Sequence, residues 1–363
     1  MMESGKQLAD VVSDSGVSSV AIVGTAKNVG KTVTMNYLVS ELSAKGLTAG
    51  LVSSGRDGES IDAFTGQPKP SVVAPQGAWV ATAEGVLRGS ASGLEIADVL
   101  GTQGLFGRIV LGRAVEAVAL ELVGPRSARE LAAIVNKLLE LGTDIVLVDG
   151  ALDRIAAASP KVSDATILAT GASLDMDLES IAQELGFVVW LLSRPEHPVK
   201  AIASLAREAV EKGTVCFIHA CRGKEQGRYT LRPAHYPTVL GVEDLVLEQA
   251  GDAAAVVVPG AVSQAFLDKA RSWAKQREFA VIASDAVSIF ASKRPGVSLY
   301  VTQPLNLLAV TVNPVSYLGV SHDPREMVNA IGAALRDIGY KLPVFDVVSG
   351  EKSIEGVSGM AVG

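Results

Sequence analysis

Apolar and polar positions along the first fifty residues follow the order strand, helix, strand. Val17–Gly24 is a short apolar run, after which apolar residues recur at helical spacing until Lys45 and Gly46, a typical helix end. Leu47–Ser53 is a second apolar run, and its short connection to the helix favours a right-handed parallel crossover. The chain is therefore predicted to open with a βαβ unit. The helical stripe consists of Met35, Leu38, Val39 and Leu42.

The same alternation continues to about residue 195. Ser54–Gln76 is rich in turn residues and is interpreted mostly as loop, whereas Arg108–Val123 is compatible with strands. Ser127 and Glu130 form a capping box at the start of an amphipathic helix that ends at Gly142. The elements predicted after this helix are strands at Ile145–Val148, Ala165–Ala169 and Val188–Leu192, with a helical stripe at Leu178, Ile181, Ala182 and Leu185 between the last two.

A second series of apolar segments follows, beginning with a helix at Val199–Lys212. The last helix is predicted to start at Asp323 as N-cap with Pro324 at the first helical position, and to stop at Gly339. We therefore expect an α/β protein with two domains, residues 1–197 on a parallel sheet and residues 198–363 as a second α/β domain. The strands predicted for the second domain are Val215–Ile218, Ala254–Val258, Val281–Ala283 and Leu307–Val312.

Composition supports this class. The 363 residues are 48% hydrophobic but only 5% aromatic and include 36 glycines, which suits buried parallel strands covered by helices. The net charge of -7 provides no field that would hold a polyanion, so nucleic acid is not an expected partner. No cationic leader and no apolar stretch of about 18 residues occurs, and only Cys216 and Cys221 are present. We therefore expect a cytoplasmic protein without membrane attachment.

The clearest chemical signal lies between the first strand and the first helix. A phosphate-binding loop requires backbone N–H groups that converge on an anion, a small residue where the chain approaches the phosphates, and a helix N-terminus. Lys31 would reach the β- and γ-phosphate oxygens and the Thr32 hydroxyl would bind magnesium, whereas Thr34 is interpreted only as a helix residue. The residues expected to contact the nucleotide are Gly24, Thr25, Ala26, Lys27, Asn28, Val29, Gly30, Lys31, Thr32 and Val33.

This loop departs from the strict pattern G-x-x-x-x-G-K-[ST], because Thr25 occupies the position of the first glycine and Gly24 stands one residue earlier. The variant G-T-x-x-x-V-G-K-T resembles the loop of dethiobiotin synthetase, and K-N-x-G-K-T resembles that of MobB-type accessory proteins. Both belong to the SIMIBI division of P-loop NTPases. The segment Asp144–Gly150 is similar to a strand end of the same division. The resemblance implies ATP and Mg²⁺ as ligands, Asp149 as the Walker B acid that holds magnesium, and a possible homodimer.

The resemblance also bears on the segment after the second strand, where SIMIBI proteins place a loop that faces the γ-phosphate. Asp57 is accordingly expected to act with Lys31 in catalysis and to help bind magnesium or orient a water, with Glu59 and Arg56 nearby. The alternative is a solvated, glycine-rich turn. The lysine of the K-P-V segment by which dethiobiotin synthetases resemble one another has no counterpart here, which argues against biotin chemistry.

The first functional hypothesis is an Mg-ATP-dependent ATPase that serves as an accessory or maturation factor for a partner enzyme. The Gly55–Glu59 and Val148–Arg154 segments resemble accessory proteins proposed as reactivases of lysine 5,6-aminomutase, which implies a cobalamin-dependent enzyme as the partner. The alternative is an ATP-dependent ligase like dethiobiotin synthetase or a small-molecule kinase, in which the phosphoryl group passes to a substrate. A third hypothesis is a P-loop scaffold that binds nucleotide without turnover.

Two other groups of residues are candidates for a functional site. Cys216, His219 and Cys221 are close in sequence, but Cys216 and His219 would point to opposite faces of a strand, which argues against a metal site. Asp285 and Asn313 each end an apolar run in the predicted second domain. They are candidates for a second ligand or partner surface, against the alternative of ordinary strand-to-loop turns.

Overall fold

The computed structural model describes residues 7–57, 71–87, 91–104, 106–125, 127–151, 157–175, 177–221, 227–274, 278–316 and 319–353. The α-helices of these residues are α1 (Leu8–Asp14), α2 (Lys31–Ala44), α3 (Ala128–Glu140), α4 (Leu178–Leu192), α5 (Lys200–Lys212), α6 (Glu243–Ala250), α7 (Gln264–Ala274) and α8 (Pro324–Asp337). The strands are β1 (Ser19–Gly24), β2 (Ala49–Ser53), β3 (Arg56–Asp57), β4 (Val72–Ala74), β5 (Trp79–Ala83), β6 (Leu94–Gly104), β7 (Gly107–Ala114), β8 (Val118–Leu120), β9 (Leu122–Val123), β10 (Ile145–Ala151), β11 (Ala165–Gly171), β12 (Cys216–Ala220), β13 (Tyr229–Pro233), β14 (Ala255–Val258), β15 (Val262–Ser263), β16 (Ala280–Asp285), β17 (Ile289–Phe290), β18 (Ser298–Gln303), β19 (Leu307–Asn313), β20 (Val344–Phe345) and β21 (Lys352–Ser353).

The chain forms an α/β fold with two compact units. Unit 1 comprises Met1–Gly186 together with Asn306–Gly363, and unit 2 comprises Phe187–Leu305. This division differs from the expected domains 1–197 and 198–363, because the C-terminal segment joins the first unit. The physical reason is strand pairing: β19 pairs in parallel with β11, so it extends the first sheet instead of a second one. Unit 2 is thus inserted into unit 1.

Unit 1 is built on a ten-stranded sheet in the order β21-β20-β19-β11-β1-β10-β2-β5-β7-β6. The strands from β20 to β5 run parallel, while β21 at one end and β7 and β6 at the other pair antiparallel. Every residue of β1, β2 and β11 is buried, as expected for central parallel strands covered on both faces. The predicted opening βαβ unit is present, although β10 lies between its two strands.

One face of this sheet packs against α1 and α2. The shared core includes Val20 and Ile22 from β1, and Leu147 from β10, together with the predicted stripe of α2. Because side chains alternate along a strand, the positions two residues apart from these on each strand share that face. The same face therefore carries Asp149 of β10 at the carboxyl end of the sheet.

The region between β2 and α3 contains more strand than the sequence analysis expects. Within the range interpreted mostly as loop, the described residues include β3 and β4, which pair antiparallel with β9 and β8. The strands suspected within Arg108–Val123 are present as β7, β8 and β9. Short antiparallel strands of this kind have little sequence signal of their own because each is fixed by its partner.

Unit 2 has a five-stranded sheet in the order β13-β12-β14-β16-β18. The pairs β14–β16 and β16–β18 are parallel, whereas β12 pairs antiparallel with both of its neighbours. Helix α5 contributes Ile202, Ala206 and Ala209 to the core of this unit. Among the described residues, no helix combines the length and the apolar character needed to cross a membrane.

Candidate functional site

The segment from Gly24 to Lys31 connects the end of β1 to the start of α2 at the carboxyl edge of the sheet. It turns through two left-handed residues, Asn28 with φ of 60° and Gly30 with φ of 92°. The first bond of α2 runs from Thr34 N–H to the Gly30 carbonyl at 2.9 Å, and no side chain caps the helix. The N–H groups of Lys31, Thr32 and Val33 therefore have no acceptor within the helix, and they lie at the positive end of the helix dipole.

The departure at the first glycine of the motif is accounted for by the packing of Gly24. A Cβ added there would stand 2.8 Å from Val29 Cγ2 and 3.0 Å from Lys31 Cδ. The Lys31 side chain therefore passes back over the end of β1, in the direction that helical side chains take. Gly24 therefore allows the Lys31 side chain to come close to the backbone at the end of β1, whereas Thr25 has a different role.

Thr25 fastens the start of the loop to β11. Its N–H donates to the Ala169 carbonyl at 2.9 Å, and its hydroxyl donates to Thr170 Oγ1 at 3.0 Å. Thr25 is buried, so these bonds satisfy polar groups that water does not reach. The loop residue that replaces the motif's glycine is thus an anchor to the neighbouring strand.

The other side of the loop rests on β19. The hydroxyls of Thr34 and Thr311 are 2.9 Å apart, and both residues are buried. The Asn313 amide donates from Nδ2 to the Asn28 carbonyl at 3.4 Å, and a Cβ on Gly30 would stand 3.1 Å from Asn313 Cβ. These contacts were not expected from the sequence, because Thr34 was interpreted only as a helix residue and Asn313 was assigned to the second domain.

Asp149 lies on β10, the strand directly beside β1. Its register partners are Ile22 on β1 and Ser53 on β2, and it is 1% exposed. Its carbonyl accepts a hydrogen bond from Ser54 N–H at 2.8 Å. The structure therefore brings Asp149 to the same sheet edge and the same face as α2, which begins at Lys31 and Thr32. Residues 152–156, which follow β10 and include the end of the Val148–Arg154 segment, lie outside the described residues.

Asp57 is held in a short pairing with β9, where it stands opposite Leu122. The turn before it is tightly packed: Gly124 N–H donates to the Gly55 carbonyl at 2.7 Å, and a Cβ on Gly124 would overlap the Ser53 carbonyl oxygen. The structure describes only the backbone of Asp57, and Glu59 lies outside the described residues. The expected catalytic and magnesium roles of Asp57 therefore stay predictions.

The loops after β11 and β19 carry further polar groups at this edge. Within the described part of the chain, Ser173 Oγ and His322 Nε2 are buried and make no hydrogen bond. Asp177 precedes α4 and accepts from the N–H and the hydroxyl of Ser180, both at 2.9 Å. These hydrogen bonds hold the pKa of the Asp177 carboxyl below its usual value.

The members of the two alternative groups belong to different elements of the fold. Cys216 lies in the core of unit 2, whereas His219 Nδ1 is 3.0 Å from Asp252 Oδ1. Among the described residues no group of three or more histidine, cysteine, aspartate or glutamate side chains is arranged to hold a metal. Asp285 caps a turn in unit 2 by accepting from Ser288 N–H at 3.0 Å, while Asn313 belongs to unit 1. Asn313 therefore does not belong to the second unit, in which the sequence placed it. A ligand or partner surface that uses Asp285 or Asn313 stays a hypothesis.

Comparison of the chain with protein-family models, with curated proteins and with solved structures found no match in any of the three. Any functional assignment therefore rests on the residues themselves and on their geometry.

Proposed function

We propose that the loop from Gly24 to Val33 binds the phosphates of ATP and that unit 1 is a P-loop NTPase domain. The observation that supports the proposal is that the Lys31 side chain passes close to Gly24 at the start of α2, where no side chain caps the N–H groups of the helix. Uncapped amides, a helix dipole and a nearby ammonium group together favour a bound polyphosphate. The loop is held in place by contacts with β11 and β19, which favours a preorganised anion site.

The roles of the side chains follow from their places. Lys31 contacts the β- and γ-phosphate oxygens, and the loop amides hold the rest of the polyphosphate. The Thr32 hydroxyl and the Asp149 carboxylate are oxygen ligands of the kind that Mg²⁺ prefers, and Asp149 is buried on the α2 face of the sheet. When bound, Mg²⁺ neutralises phosphate charge. Asp57 orients the attacking water in this scheme.

We also propose that the ATPase serves a partner enzyme as an accessory, maturation or reactivating factor in the cytoplasm. The support is the sequence resemblance of the segments around Asp57 and Asp149 to reactivase accessory proteins. A second argument is that unit 2 is a separate α/β unit with its own core, available for a task other than nucleotide binding. A cobalamin-dependent enzyme is the partner that the resemblance implies.

The first prediction concerns Lys31. Lys31→Ala removes the charge and the donor at the phosphates, so MgATP binding should weaken at least about 100-fold in calorimetry. Lys200→Ala is the matched control, because Lys200 is also the first residue of a helix but has no preceding glycine loop. Equal affinity of wild type and Lys31→Ala, or no binding by wild type, would refute the proposal.

Turnover separates the accessory role from the alternative enzyme. ATP hydrolysis that is slow alone and accelerates with a protein captured from native extract in the presence of ATP supports the accessory function. Turnover that depends on a small acceptor, which then becomes phosphorylated or condensed, supports a ligase or kinase instead. Binding without either form of turnover leaves a nucleotide-binding scaffold.

A further inference from the structure

The carboxyl end of β19 lies against the left-handed part of the phosphate loop. Asn28 is the only non-glycine residue with positive φ among those that the structure describes. The left-handed region is unfavourable for most residues with a side chain, and asparagine is one of the few that adopt it readily. The carbonyl of Asn28 accepts the hydrogen bond from Asn313 Nδ2.

The Asn313 side chain is itself fixed in orientation. Its Oδ1 accepts from Val315 N–H at 3.3 Å, which leaves the NH₂ group to face Asn28. Its carbonyl accepts from Ala172 N–H at 2.9 Å, and it stands opposite Gly171 in the parallel pairing of β11 and β19. A Cβ on Gly171 would stand 2.5 Å from the Asn313 carbonyl oxygen, so the two backbones approach as closely as glycine permits.

Gly30 completes the contact. Its left-handed backbone lies over Asn313, with 3.1 Å between Asn313 Cβ and the place of a Gly30 Cβ. Asn313 thus touches both left-handed residues of the loop, one by a hydrogen bond and the other by packing. These are the two residues with positive φ immediately before α2 begins at Lys31.

We propose that Asn313 is a positioning residue that holds the phosphate loop in its anion-binding shape. This inference rests on the proposed function, because it assigns a role within the same site. Asn313 acts through the backbone of Asn28 and Gly30, and its effect is on polyphosphate binding as such. This effect does not depend on the base attached to the phosphates.

The test compares two probes, MgATP and magnesium tripolyphosphate, in calorimetry with the full chain. Asn313→Ala removes the donor and the packing surface, and we expect it to weaken both probes by the same factor, about tenfold. Asn306→Ala is the matched control, because Asn306 immediately precedes β19 at the opposite edge of the sheet and its side chain is exposed. The melting temperature of each variant reports whether the fold is intact.

Each result decides the inference. Weaker MgATP with unchanged tripolyphosphate would assign Asn313 to the base or ribose and overturn the positioning role. Unchanged affinity for both probes would overturn it while leaving the proposed function intact. Failure of wild type to bind either probe would overturn the proposed function and this inference with it. If Asn313→Ala does not fold, Asn313→Ser, whose hydroxyl is too short to reach Asn28, provides the same comparison.

Discussion

At the scale of single residues, Gly24 is a position where the loop between β1 and α2 leaves little room for a side chain. A glycine is needed where the Lys31 side chain comes close to the backbone, and the strict motif would place that glycine at Thr25. In this chain the contact falls on the last residue of β1. The Gly-Lys-Thr motif and its place between a strand and a helix could be predicted from the sequence. The role of Gly24 could not, because it depends on where the structure places the Lys31 side chain.

The second prediction follows from that contact. Gly24→Ala places a methyl group 2.8 Å from Val29 Cγ2 and 3.0 Å from the Ala26 carbonyl oxygen. We expect it to lower the free energy of unfolding by about 1–3 kcal/mol in urea titration, because the packed loop has to shift. Gly101→Ala is the control, since a Cβ at Gly101 meets nothing within 4 Å. Equal stability of Gly24→Ala and wild type would contradict the packing.

At the scale of elements, the sequence predicts β19 as a strand but does not predict which strand it pairs with. The apolar run Leu307–Val312 indicates a strand, and the structure confirms one there. Its pairing with β11 depends on contacts across more than a hundred intervening residues, for which a local pattern carries no information. The helices α3 and α8 were predictable because Ser127 and Asp323 cap them locally.

The predicted strand Val188–Leu192 is wrong for a related reason. These residues form the last turns of α4. Their valines, tryptophan and leucines are typical of a buried strand, and short apolar runs do not distinguish a strand from a buried helix. The helix continues through Gly186, where a Cβ would stand 3.4 Å from Ile338 Cδ1. Tertiary packing outweighed local preference here.

The third prediction tests the hydroxyl pair that joins α2 to β19. Thr311→Val leaves the buried Thr34 hydroxyl without its partner and should lower the free energy of unfolding by about 1–2 kcal/mol. The double variant with Thr34→Val should recover part of that loss, because neither hydroxyl is then stranded. A urea-monitored double-mutant cycle measures the coupling.

Thr143→Val supplies the contrast for this cycle. Thr143 is buried, and its Oγ1 makes no hydrogen bond within the part of the chain that the structure describes. The same substitution should therefore be neutral or stabilising there. Additive effects of Thr34→Val and Thr311→Val would argue that the two hydroxyls do not interact.

At the scale of the whole molecule, unit 1 is discontinuous in sequence. The chain leaves it after Gly186 and re-enters at Asn306. Hydrophobic pattern alone predicts two α/β domains in series, because it records where strands occur and not which sheet they join. The α/β class was therefore predictable, whereas the nesting of one unit in the other was not.

The fourth prediction follows from this nesting. A fragment of residues 1–197, the first domain expected from sequence, lacks β19 and leaves the edge of β11 uncovered. We expect it to show no cooperative unfolding transition in urea, in contrast to the full chain. Circular dichroism of both proteins under the same conditions makes the comparison. A cooperative transition in the fragment would mean that the N-terminal residues suffice for unit 1.

The late position of β19 also has a consequence for biosynthesis. The ribosome adds the loop from Gly24 to Val33 before unit 2, but Asn313 emerges only after all of unit 2 has been made. A nascent chain can complete unit 2 while the loop still lacks one of its two supporting strands. Under the proposed function, the ability to hold a nucleotide is thereby deferred until β19 has been synthesised.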